Sequence, residues 1–314
     1  MPERLVYISG EWFPEAEAKI SIFDSAVMLG DCVTESTRTF RQKPFKLNGH
    51  ILRLYKSLKV CRFEAGMSPA EMEELSLAVM ARNMPAYGPE DDIWIVHNIS
   101  RGAYPPTGDQ STKREPTIII HTAPMDLRYW APFYVHGCHA VTPPSRVIPA
   151  QSLDPKLKNR SRMAYTLAEL ETKLVDPMAQ GLLLDVHGYL AENKGANFFI
   201  VTDGILRTPP TTQALAGITR ETCLEIADSL GIPTQEGDLQ PYDVYTADEA
   251  FFTSTPYCIM PTTEFNGLPV GEGKVGPITR QLLGGWTELT GVDVAEQALS
   301  QLTREERARL EEST

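Results

Sequence analysis

Lys158 lies at the centre of the stretch whose residue types are best suited to covalent chemistry. Cations stand at alternate positions from Lys156 through Arg160 to Arg162, although the 314-residue chain carries a formal net charge of −12. Like charges nearby and partial removal from water both favour the neutral form of a lysine amine, and a neutral amine is a nucleophile. Most lysines in mixed-charge segments are nevertheless solvated surface residues. Partner residues elsewhere in the chain must therefore decide between these two interpretations.

Two turns carry groups that suit an anion. Gly217-Ile218-Thr219 opens a predicted helix, where free N–H groups, the positive end of the helix dipole and a hydroxyl suit a phosphate. Ser254-Thr255 ends a predicted strand and adds a further hydroxyl and N–H. Each pattern is also ordinary turn chemistry, so neither identifies a site by itself.

Arg53 and Glu192 are the remaining candidates. Arg53 stands among the apolar positions of a predicted helix, and if buried it needs an anionic partner, either a carboxylate or a phosphate. A structural salt bridge is slightly favoured on this residue alone. Glu192, between a strand and a glycine-containing turn, is a surface acid or, if buried against a pyridine nitrogen, keeps that nitrogen protonated. Together with Lys158, these groups suit one anionic, aromatic cofactor.

Strands and helices both occur throughout the predicted order of elements. Ser68-Pro69-Ala70-Glu71 is a capping box that predicts a helix to about Asn83. The strand predicted over 31–40 is polar on both faces, which fits a pocket wall and an edge strand about equally. The predicted helix 160–175 has an apolar stripe expected to pack against a sheet, formed by Met163, Leu167, Leu170 and Leu174. Asp203-Gly204 predicts a hairpin between strands at 198–201 and 205–206, and Gly10-Glu11 predicts a turn between strand segments within 5–13. Further strands are predicted over 18–23, 93–100, 118–121, 135–141, 182–185 and 249–253, and further helices near 51–58, 217–230 and from 276.

Length, composition and charge bound the class of protein. The length suggests two domains, and a proline- and aromatic-rich stretch predicts a link at 123–134 between domains 1–122 and 135–314. The net charge argues against nucleic-acid binding, and no apolar run is long enough to span a membrane. Five widely spaced cysteines and the absence of an apolar leader indicate a cytoplasmic protein, and no ligand spacing predicts a metal site.

Short motifs along almost the whole chain resemble those of the class IV aminotransferases. This is the fold-type IV pyridoxal-phosphate family, which includes branched-chain aminotransferases, D-amino-acid aminotransferases, (R)-selective amine transaminases and aminodeoxychorismate lyases. The shared order and spacing of the motifs carry the resemblance. The matching motifs are, in chain order, Gly30-Asp31, His50-Ile51-Leu52-Arg53-Leu54, Ser100-Arg101-Gly102, Leu157-Lys158-Asn159, Gly188-Tyr189-Leu190-Ala191-Glu192, Gly195-Ala196-Asn197-Phe198-Phe199, Thr208-Pro209-Pro210, Leu215-Ala216-Gly217-Ile218-Thr219-Arg220, and Gly271-Glu272-Gly273 with Gly276-Pro277-Ile278-Thr279.

The resemblance implies pyridoxal 5′-phosphate as cofactor and a role for each candidate. Lys158 resembles the Schiff-base lysine, which after release moves a proton between the substrate Cα and the cofactor C4′. Glu192 resembles the partner that keeps the pyridine nitrogen protonated. The phosphate-binding positions of the family correspond here to Arg53, Ile218, Thr219 and Thr255.

Three arginines are candidates for the substrate carboxylate. Arg101 lies in a Ser-Arg-Gly similar to the Thr-Arg-Gly of the D-amino-acid and (R)-amine branches, and Arg38 ends the predicted strand near the substrate pocket. Arg162 follows Lys158 where branched-chain members usually carry a tyrosine. The strand 34–38 also lacks the Phe-Glu-Gly-x-Arg pattern of branched-chain members. The substrate and its handedness therefore stay open.

The resemblance implies an α/β (α+β) fold of two domains: a small N-terminal α+β domain and a larger C-terminal domain with a barrel-like sheet. The cofactor is expected between them, in a homodimer in which Tyr104–Gly108 reaches the neighbour's site. The expected function is amino transfer from an amino acid or primary amine to a 2-oxo acid. The alternatives are an (R)-selective amine transaminase, a lyase that releases pyruvate from an aminochorismate, and a non-catalytic cofactor-binding or interaction protein.

Overall fold

The computed structural model describes residues 2–105 and 114–312, which fall into two compact units. Unit 1 lies within Met1–Met125 and also takes in Leu157–Ser161. Unit 2 comprises Asp126–Lys156 and the chain from Arg162 onward. The domain limits inferred from the sequence, with a link at 123–134, stay a prediction. Within that range a strand ends at Pro124 and a helix begins at Ala131.

Unit 1 is built on an antiparallel sheet of six strands in its described part, in the order β2-β1-β6-β5-β3-β4. Helices α2 and α3 bury apolar side chains of this sheet, including Val33 and Ile95, against Ile51 and Leu54. The elements of the unit are β1 (Leu5–Ile8), β2 (Glu11–Pro14), α1 (Ser25–Leu29), β3 (Cys32–Phe40), β4 (Lys43–Pro44), α2 (Leu47–Cys61), α3 (Pro69–Asn83), β5 (Ile93–Ser100) and β6 (Thr117–Pro124).

Helix α3 begins and ends where the capping box predicts. The Ser68 hydroxyl accepts a hydrogen bond from the Glu71 N–H, and the Glu71 carboxylate accepts one from the Ser68 N–H. These two contacts satisfy N–H groups that a helix end otherwise leaves unpaired, so the start of the helix is fixed locally. The predicted strand over 18–23 is wrong, because no strand spans those residues.

The segment Leu157–Ser161 lies against β3 and completes that strand's hydrogen bonding. The Thr34 N–H donates to the Lys158 carbonyl at 3.0 Å, and the Arg160 N–H donates to the Cys32 carbonyl at 2.8 Å. Because these contacts are backbone contacts, they hold Lys158 in place whatever its side chain does. Strand β3 is buried along almost its entire length, so its polar faces do not mark an exposed edge.

Unit 2 contains a mixed sheet of eight strands in its described part. Its path is β11-β10-β9-β12-β13-β7-β8, and β14 pairs with β13. The central strands β9, β12 and β13 are antiparallel and almost wholly buried. The strands are β7 (Cys138–Val141), β8 (Gln180–Gly181), β9 (Asn197–Thr202), β10 (Ile205–Thr208), β11 (Thr234–Glu236), β12 (Glu249–Ser254), β13 (Cys258–Phe265) and β14 (Leu268–Pro269).

The helices of unit 2 pack around this sheet or extend beyond it. They are α4 (Ala131–His136), α5 (Met163–Val175), α6 (Ile218–Ser229), α7 (Pro241–Tyr245), α8 (Pro277–Thr290), α9 (Val294–Leu299) and α10 (Arg304–Glu312). Buried Glu249 caps α8, because its carboxylate accepts hydrogen bonds from the N–H groups of Ile278 and Thr279 and from the Thr279 hydroxyl. No helix in the described ranges combines the length and apolar character needed to cross a membrane.

Helix α5 does not pack through its apolar stripe, which corrects the expectation from the sequence. Met163, Leu167, Leu170 and Leu174 are 51–88% exposed, whereas Ala168 and Thr172 are buried. Small side chains let a helix approach its neighbours closely, and the Thr172 hydroxyl is satisfied by the Ala168 carbonyl within the helix. The large apolar side chains of α5 are left facing outward.

Candidate active site

Lys158 lies beside helix α2 within unit 1. Its N–H points to the Ser57 hydroxyl oxygen at 3.4 Å, and its side chain is partly buried. Its charge also lowers the pKa of His50 on α2, which places the amine within electrostatic reach of that helix. Unit 1 therefore holds the predicted amine close to the helix that carries Arg53.

Arg53 has the buried anionic partner that its position demands, and the partner is a carboxylate. Its Nε donates to Glu35 Oε2 at 2.8 Å, and its Nη2 donates to Oε1 at 2.6 Å. Glu35 on β3 is fully buried, and the Arg53 side chain is 10% exposed. Although burial opposes ionisation, the charges and hydrogen bonds of Arg53 and His50 hold the pKa of Glu35 well below its ordinary value. The arginine is thus fixed along one edge of its guanidinium.

Arg38 is engaged inside unit 1. Its guanidinium lies 3.9 Å from the centre of the Phe40 ring, its Nε donates to the Thr39 carbonyl, and its Nη2 is 3.6 Å from Asp92 Oδ2. The residue is 1% exposed. These contacts account for its burial by themselves.

Arg101 is also held within unit 1. Its Nε donates to Asp31 Oδ2 at 3.0 Å, and its guanidinium lies 4.2 Å from the centre of the Phe63 ring. Two backbone carbonyls, of Cys61 and Arg62, accept from its remaining nitrogens. The guanidinium therefore ties the end of α2 to the loop before β3.

Glu192 is the centre of the corresponding cluster in unit 2. It is 6% exposed. Its Oε1 accepts a hydrogen bond from the Tyr165 hydroxyl at 2.7 Å, and its Oε2 accepts one from the Leu215 N–H at 2.8 Å. Hydrogen bonds to an ionised carboxylate are stronger than those between neutral groups, so the two donors fix its orientation.

Tyr165 links Glu192 to Arg162. Burial, together with the Glu192 charge, raises the pKa of Tyr165, so its hydroxyl keeps its proton and donates. The Arg162 guanidinium lies 4.8 Å from the centre of the Tyr165 ring, at the start of α5. Among the residues that the structure describes, no carboxylate forms an ion pair with Arg162. Arg162 differs in this from Arg38 and Arg101.

The start of α6 lies next to this cluster. Gly217 is its N-cap, so no side chain covers the N–H groups of the first turn, which holds Ile218 and Thr219. A Cβ at Gly217 would lie 2.1 Å from Asn197 Oδ1, and Asn197 donates to the Leu215 carbonyl at 2.8 Å. The Leu215 N–H in turn donates to Glu192, so the backbone of this turn is held from two sides.

Thr255 lies in the turn that follows β12 and is partly buried. The neighbouring Ser254 hydroxyl donates to the Gly195 carbonyl at 2.6 Å. Gly195 belongs to the turn directly after Glu192, so this contact ties the end of β12 to the Glu192 turn. Unit 2 therefore brings together Glu192, the start of α6 and Thr255.

Two residues of these clusters were missed by reasoning from the sequence. Tyr165 lies on the buried face of α5. The apolar stripe of this helix led to the prediction that the opposite face is the packed one. Its spacing of three residues from Ala168, and of seven from Thr172, is the signal that would have found it. Glu35 lies within the strand predicted over 31–40, but the pattern of that strand does not single it out. Its partnership with Arg53 depends on long-range pairing of β3 with α2, which local pattern does not carry.

Comparisons with known proteins agree on one family. The family described as amino-transferase class IV matches residues 32–265. A putative branched-chain-amino-acid aminotransferase of Methanocaldococcus jannaschii is 32% identical over 278 residues, which are 88% of this chain and 93% of the relative. The branched-chain-amino-acid aminotransferase of Escherichia coli K12 is 29% identical over 282 residues, 88% and 90% of the two chains.

Solved structures give the same result for the fold. The branched-chain amino acid aminotransferase of T.th., complexed with N-(5′-phosphopyridoxyl)-L-glutamate, has a TM-score of 0.82 at 28% identity, covering 96% of this chain and 98% of that one. The chain therefore belongs to the class IV aminotransferases, and the predicted fold class is confirmed. It is a pyridoxal-phosphate-dependent transaminase.

The residues present fit this cofactor. An aldehyde needs an amine, and Lys158 is a partly buried one. A phosphate needs donors, and each unit contains groups of this kind: the Arg53 guanidinium in unit 1 and the uncapped N–H groups at the start of α6 in unit 2. A pyridine nitrogen needs an acid partner, and Glu192 is a buried carboxylate with a fixed orientation.

Proposed function

We propose that this protein transfers an amino group reversibly between an amino acid and a 2-oxo acid, with Lys158 as the lysine that bonds to the cofactor aldehyde. The observation that carries the residue assignment is the Glu192 cluster: a carboxylate only 6% exposed, held by a tyrosine hydroxyl and a backbone N–H. A carboxylate held in this way is suited to keep a pyridine nitrogen protonated. The bound cofactor then supplies a ring that withdraws electrons from the substrate Cα.

Lys158 acts as nucleophile and then as general base and acid. Its backbone is fixed on β3, so the amine turns only about its side-chain bonds. Positive charges at Arg53 and along its own segment favour the neutral amine. With cofactor and substrate bound, the Lys158 Nζ would take the proton from the substrate Cα as a base and give it back as an acid.

Phosphate binding is assigned to Arg53, Ile218, Thr219 and Thr255. Arg53 offers a charged donor whose guanidinium is already oriented by Glu35. The N–H groups of Ile218 and Thr219 lie at the positive end of a twelve-residue helix. Thr255 adds a hydroxyl from the turn after β12.

Arg162 is the arginine best placed to bind the substrate carboxylate. Arg38 and Arg101 already have acidic partners in unit 1, namely Asp92 and Asp31. A substrate would have to displace those partners to bind either of them. Arg162 instead stacks on the ring of Tyr165, which reaches Glu192. For this reason we assign Arg162 first and keep the other two as weaker candidates.

Branched-chain L-amino acids are the first substrates to test, because the relatives in the comparison carry that name. The decisive experiment is half-reaction spectroscopy on the cofactor-loaded enzyme. L-leucine, L-valine, L-isoleucine, L-glutamate, D-alanine and (R)-1-phenylethylamine are added one at a time, without an acceptor. We expect at least one branched-chain donor to convert the cofactor to its aminated form.

The other outcomes of that panel separate the alternatives. Conversion by the (R)-amine but by no amino acid would replace the proposal with an amine transaminase. Release of pyruvate from an aminochorismate without an acceptor would indicate a lyase. An enzyme that binds the cofactor but converts with no donor would contradict the proposed transfer.

We also propose a cytoplasmic homodimer. The exposed apolar side chains of α5, which include Leu167, Leu170 and Leu174, form a stripe of the kind that protein interfaces cover. The five cysteines are free thiols, as in a reducing compartment. Of the loop Tyr104–Gly108, predicted to reach the neighbour's site, residues 106–108 lie outside the described residues. The ring of Tyr104 contacts the Arg114 guanidinium at 4.1 Å.

A further inference from the structure

Glu35 is a buried carboxylate in unit 1 for which the proposed reaction has no direct use. It is fully buried, and both of its oxygens accept hydrogen bonds. Its Oε1 accepts from the Ser36 N–H at 3.0 Å, from His50 Nδ1 at 3.0 Å and from Arg53 Nη2 at 2.6 Å, and its Oε2 accepts from Arg53 Nε at 2.8 Å. Because an ionised carboxylate only accepts, the proton of His50 is on Nδ1.

The arrangement holds Arg53 from one side. His50 and Arg53 lie three residues apart on α2, so both face β3, where Glu35 stands. Glu35 engages the Nε edge of the guanidinium with two hydrogen bonds. The planar fork of an arginine can rotate only as a whole, so fixing this edge fixes the direction of the remaining N–H groups.

Stability alone is a poor explanation for such a pair. Removing two charges from water costs about as much as their attraction returns, and apolar replacements of buried ion pairs are often neutral or stabilising. A long flexible arginine that must bind an anion, however, loses rotamer freedom at that moment unless it is already held. A partner that immobilises it beforehand improves binding without touching the anion.

We propose that Glu35 is a positioning residue that orients Arg53 toward the cofactor phosphate. The proposal rests on the phosphate role of Arg53 proposed above. For neutralisation of Glu35, this role and a purely electrostatic effect predict opposite changes in phosphate binding. As a bare negative charge, Glu35 would repel a phosphate, and its neutralisation would tighten binding. As a positioning residue, its neutralisation weakens phosphate binding, because Arg53 loses its fixed orientation.

The neighbouring histidines do not compete with Arg53 for Glu35 as cations at neutral pH. Burial lowers the pKa of His50, and the charges of Arg53 and Lys158 add to this while Glu35 opposes it. His97 is the residue of β5 that pairs with Glu35 of β3, and burial lowers its pKa to about 4. Both histidines are therefore neutral, and Glu35 is directed to Arg53 rather than shared with a second cation.

The test compares two ligands that differ only in the phosphate. Pyridoxal 5′-phosphate and pyridoxal are each titrated against the cofactor-free full chain by absorbance, and the ratio of their dissociation constants is taken for each variant. The ratio isolates the phosphate, since both ligands share the aldehyde and the ring. We expect Glu35→Gln to reduce the preference for the phosphate about tenfold. We expect no further reduction when Glu35→Gln is added to Arg53→Ala.

Controls separate the possible failures. Glu249→Gln neutralises a buried carboxylate that caps α8, and we expect it to leave the ratio unchanged even if it lowers stability. If Glu35→Gln does not fold, Glu35→Asp, which keeps the charge but is one methylene shorter, must show the same loss. An unchanged or increased preference in the Glu35 variant, with a clear loss in Arg53→Ala, would overturn the positioning role alone. An unchanged preference in Arg53→Ala would overturn the phosphate role as well.

Discussion

His97 is a buried residue of unit 1 that makes its folding sensitive to acid. It is fully buried on β5, its Nε2 lies 2.7 Å from the Ser76 hydroxyl, and its Nδ1 has no hydrogen-bond partner in the described structure. Burial lowers its pKa from 6.5 to about 4. Between these values the unfolded chain binds a proton that the folded chain does not, so stability falls as the pH falls.

The pH dependence of unfolding tests this consequence. From the two pKa values, His97 should account for a loss of about 2 kcal/mol in the free energy of unfolding between pH 7 and pH 5. His97→Gln has no titrating group at this position but can still hydrogen-bond to Ser76. Between pH 7 and pH 5 its free energy of unfolding, measured with urea, should therefore fall by about 2 kcal/mol less than that of the wild type. The exposed His187→Gln should keep the full drop. An equal drop in wild type and His97→Gln would contradict the assignment.

The pH window for this test avoids the carboxylate of Glu35. Its pKa lies below the ordinary value, so the stability that it contributes is present above that ordinary value and is lost only as the pH falls further. A comparison between pH 5 and pH 7 therefore leaves the contribution of Glu35 almost unchanged.

At the residue scale, the sequence was informative where a residue type conflicts with its neighbours. Arg53 among apolar helix positions predicted a buried anionic partner, and the structure supplies Glu35. The identity of that partner could not be predicted, because β3 and α2 are joined by tertiary packing rather than by spacing. Arg38 and Arg101 show the converse, since their acidic partners Asp92 and Asp31 are also set by packing.

At the scale of elements, helix α8 offers a test of packing in two adjacent glycines. A Cβ at Gly284 would meet nothing within 4 Å, whereas a Cβ at Gly285 would lie 2.3 Å from Ile226 Cγ2 on α6. Both lie inside a helix, so each replacement by alanine gains up to about 1 kcal/mol of helix propensity. Only the second must also displace a packed side chain.

We expect opposite effects from these two substitutions. Gly284→Ala should raise the free energy of unfolding by up to about 1 kcal/mol, and Gly285→Ala should lower it, because overpacking costs about 1–3 kcal/mol. Denaturant unfolding of both variants beside the wild type measures the difference. If both variants are stabilised alike, the close packing of α8 on Ile226 is wrong.

Local signals predicted elements well and their packing less well. The capping box fixed α3, and Asp203-Gly204 fixed the hairpin of β9 and β10, because both act through neighbouring residues. The orientation of α5 was predicted wrongly, since a helical apolar stripe does not say which surface covers it. In this helix the small residues are buried and the large apolar ones are exposed.

At the scale of the whole molecule, the exposed stripe of α5 predicts self-association. Replacing Leu170 and Leu174 by Asp places charges on side chains that are 60% and 88% exposed, so the folded chain should tolerate them. Light scattering after size exclusion should give twice the chain mass for the wild type and the single chain mass for this variant. Leu268→Asp, at an exposed leucine of β14, should remain dimeric. A wild type of single chain mass would contradict the dimer.

The family could be recognised from ordered short motifs, because they extend over almost the whole chain. The substrate could not, since it depends on how a few side chains are already paired. Arg162 is the preferred candidate for binding the substrate carboxylate because the structure pairs Arg38 and Arg101 with acidic partners.

The central claim, that Lys158 bonds to the cofactor, is tested most directly by locating the bond. The enzyme is loaded with pyridoxal 5′-phosphate, reduced with borohydride, digested and mapped by mass spectrometry, beside Lys158→Ala and Lys156→Ala. Lys156 is a matched control, because it is two residues away and paired with Asp154. We predict modification of Lys158 in the wild type and in Lys156→Ala, and none in Lys158→Ala. Modification of another lysine in the wild type, or transaminase activity retained by Lys158→Ala, would contradict the account.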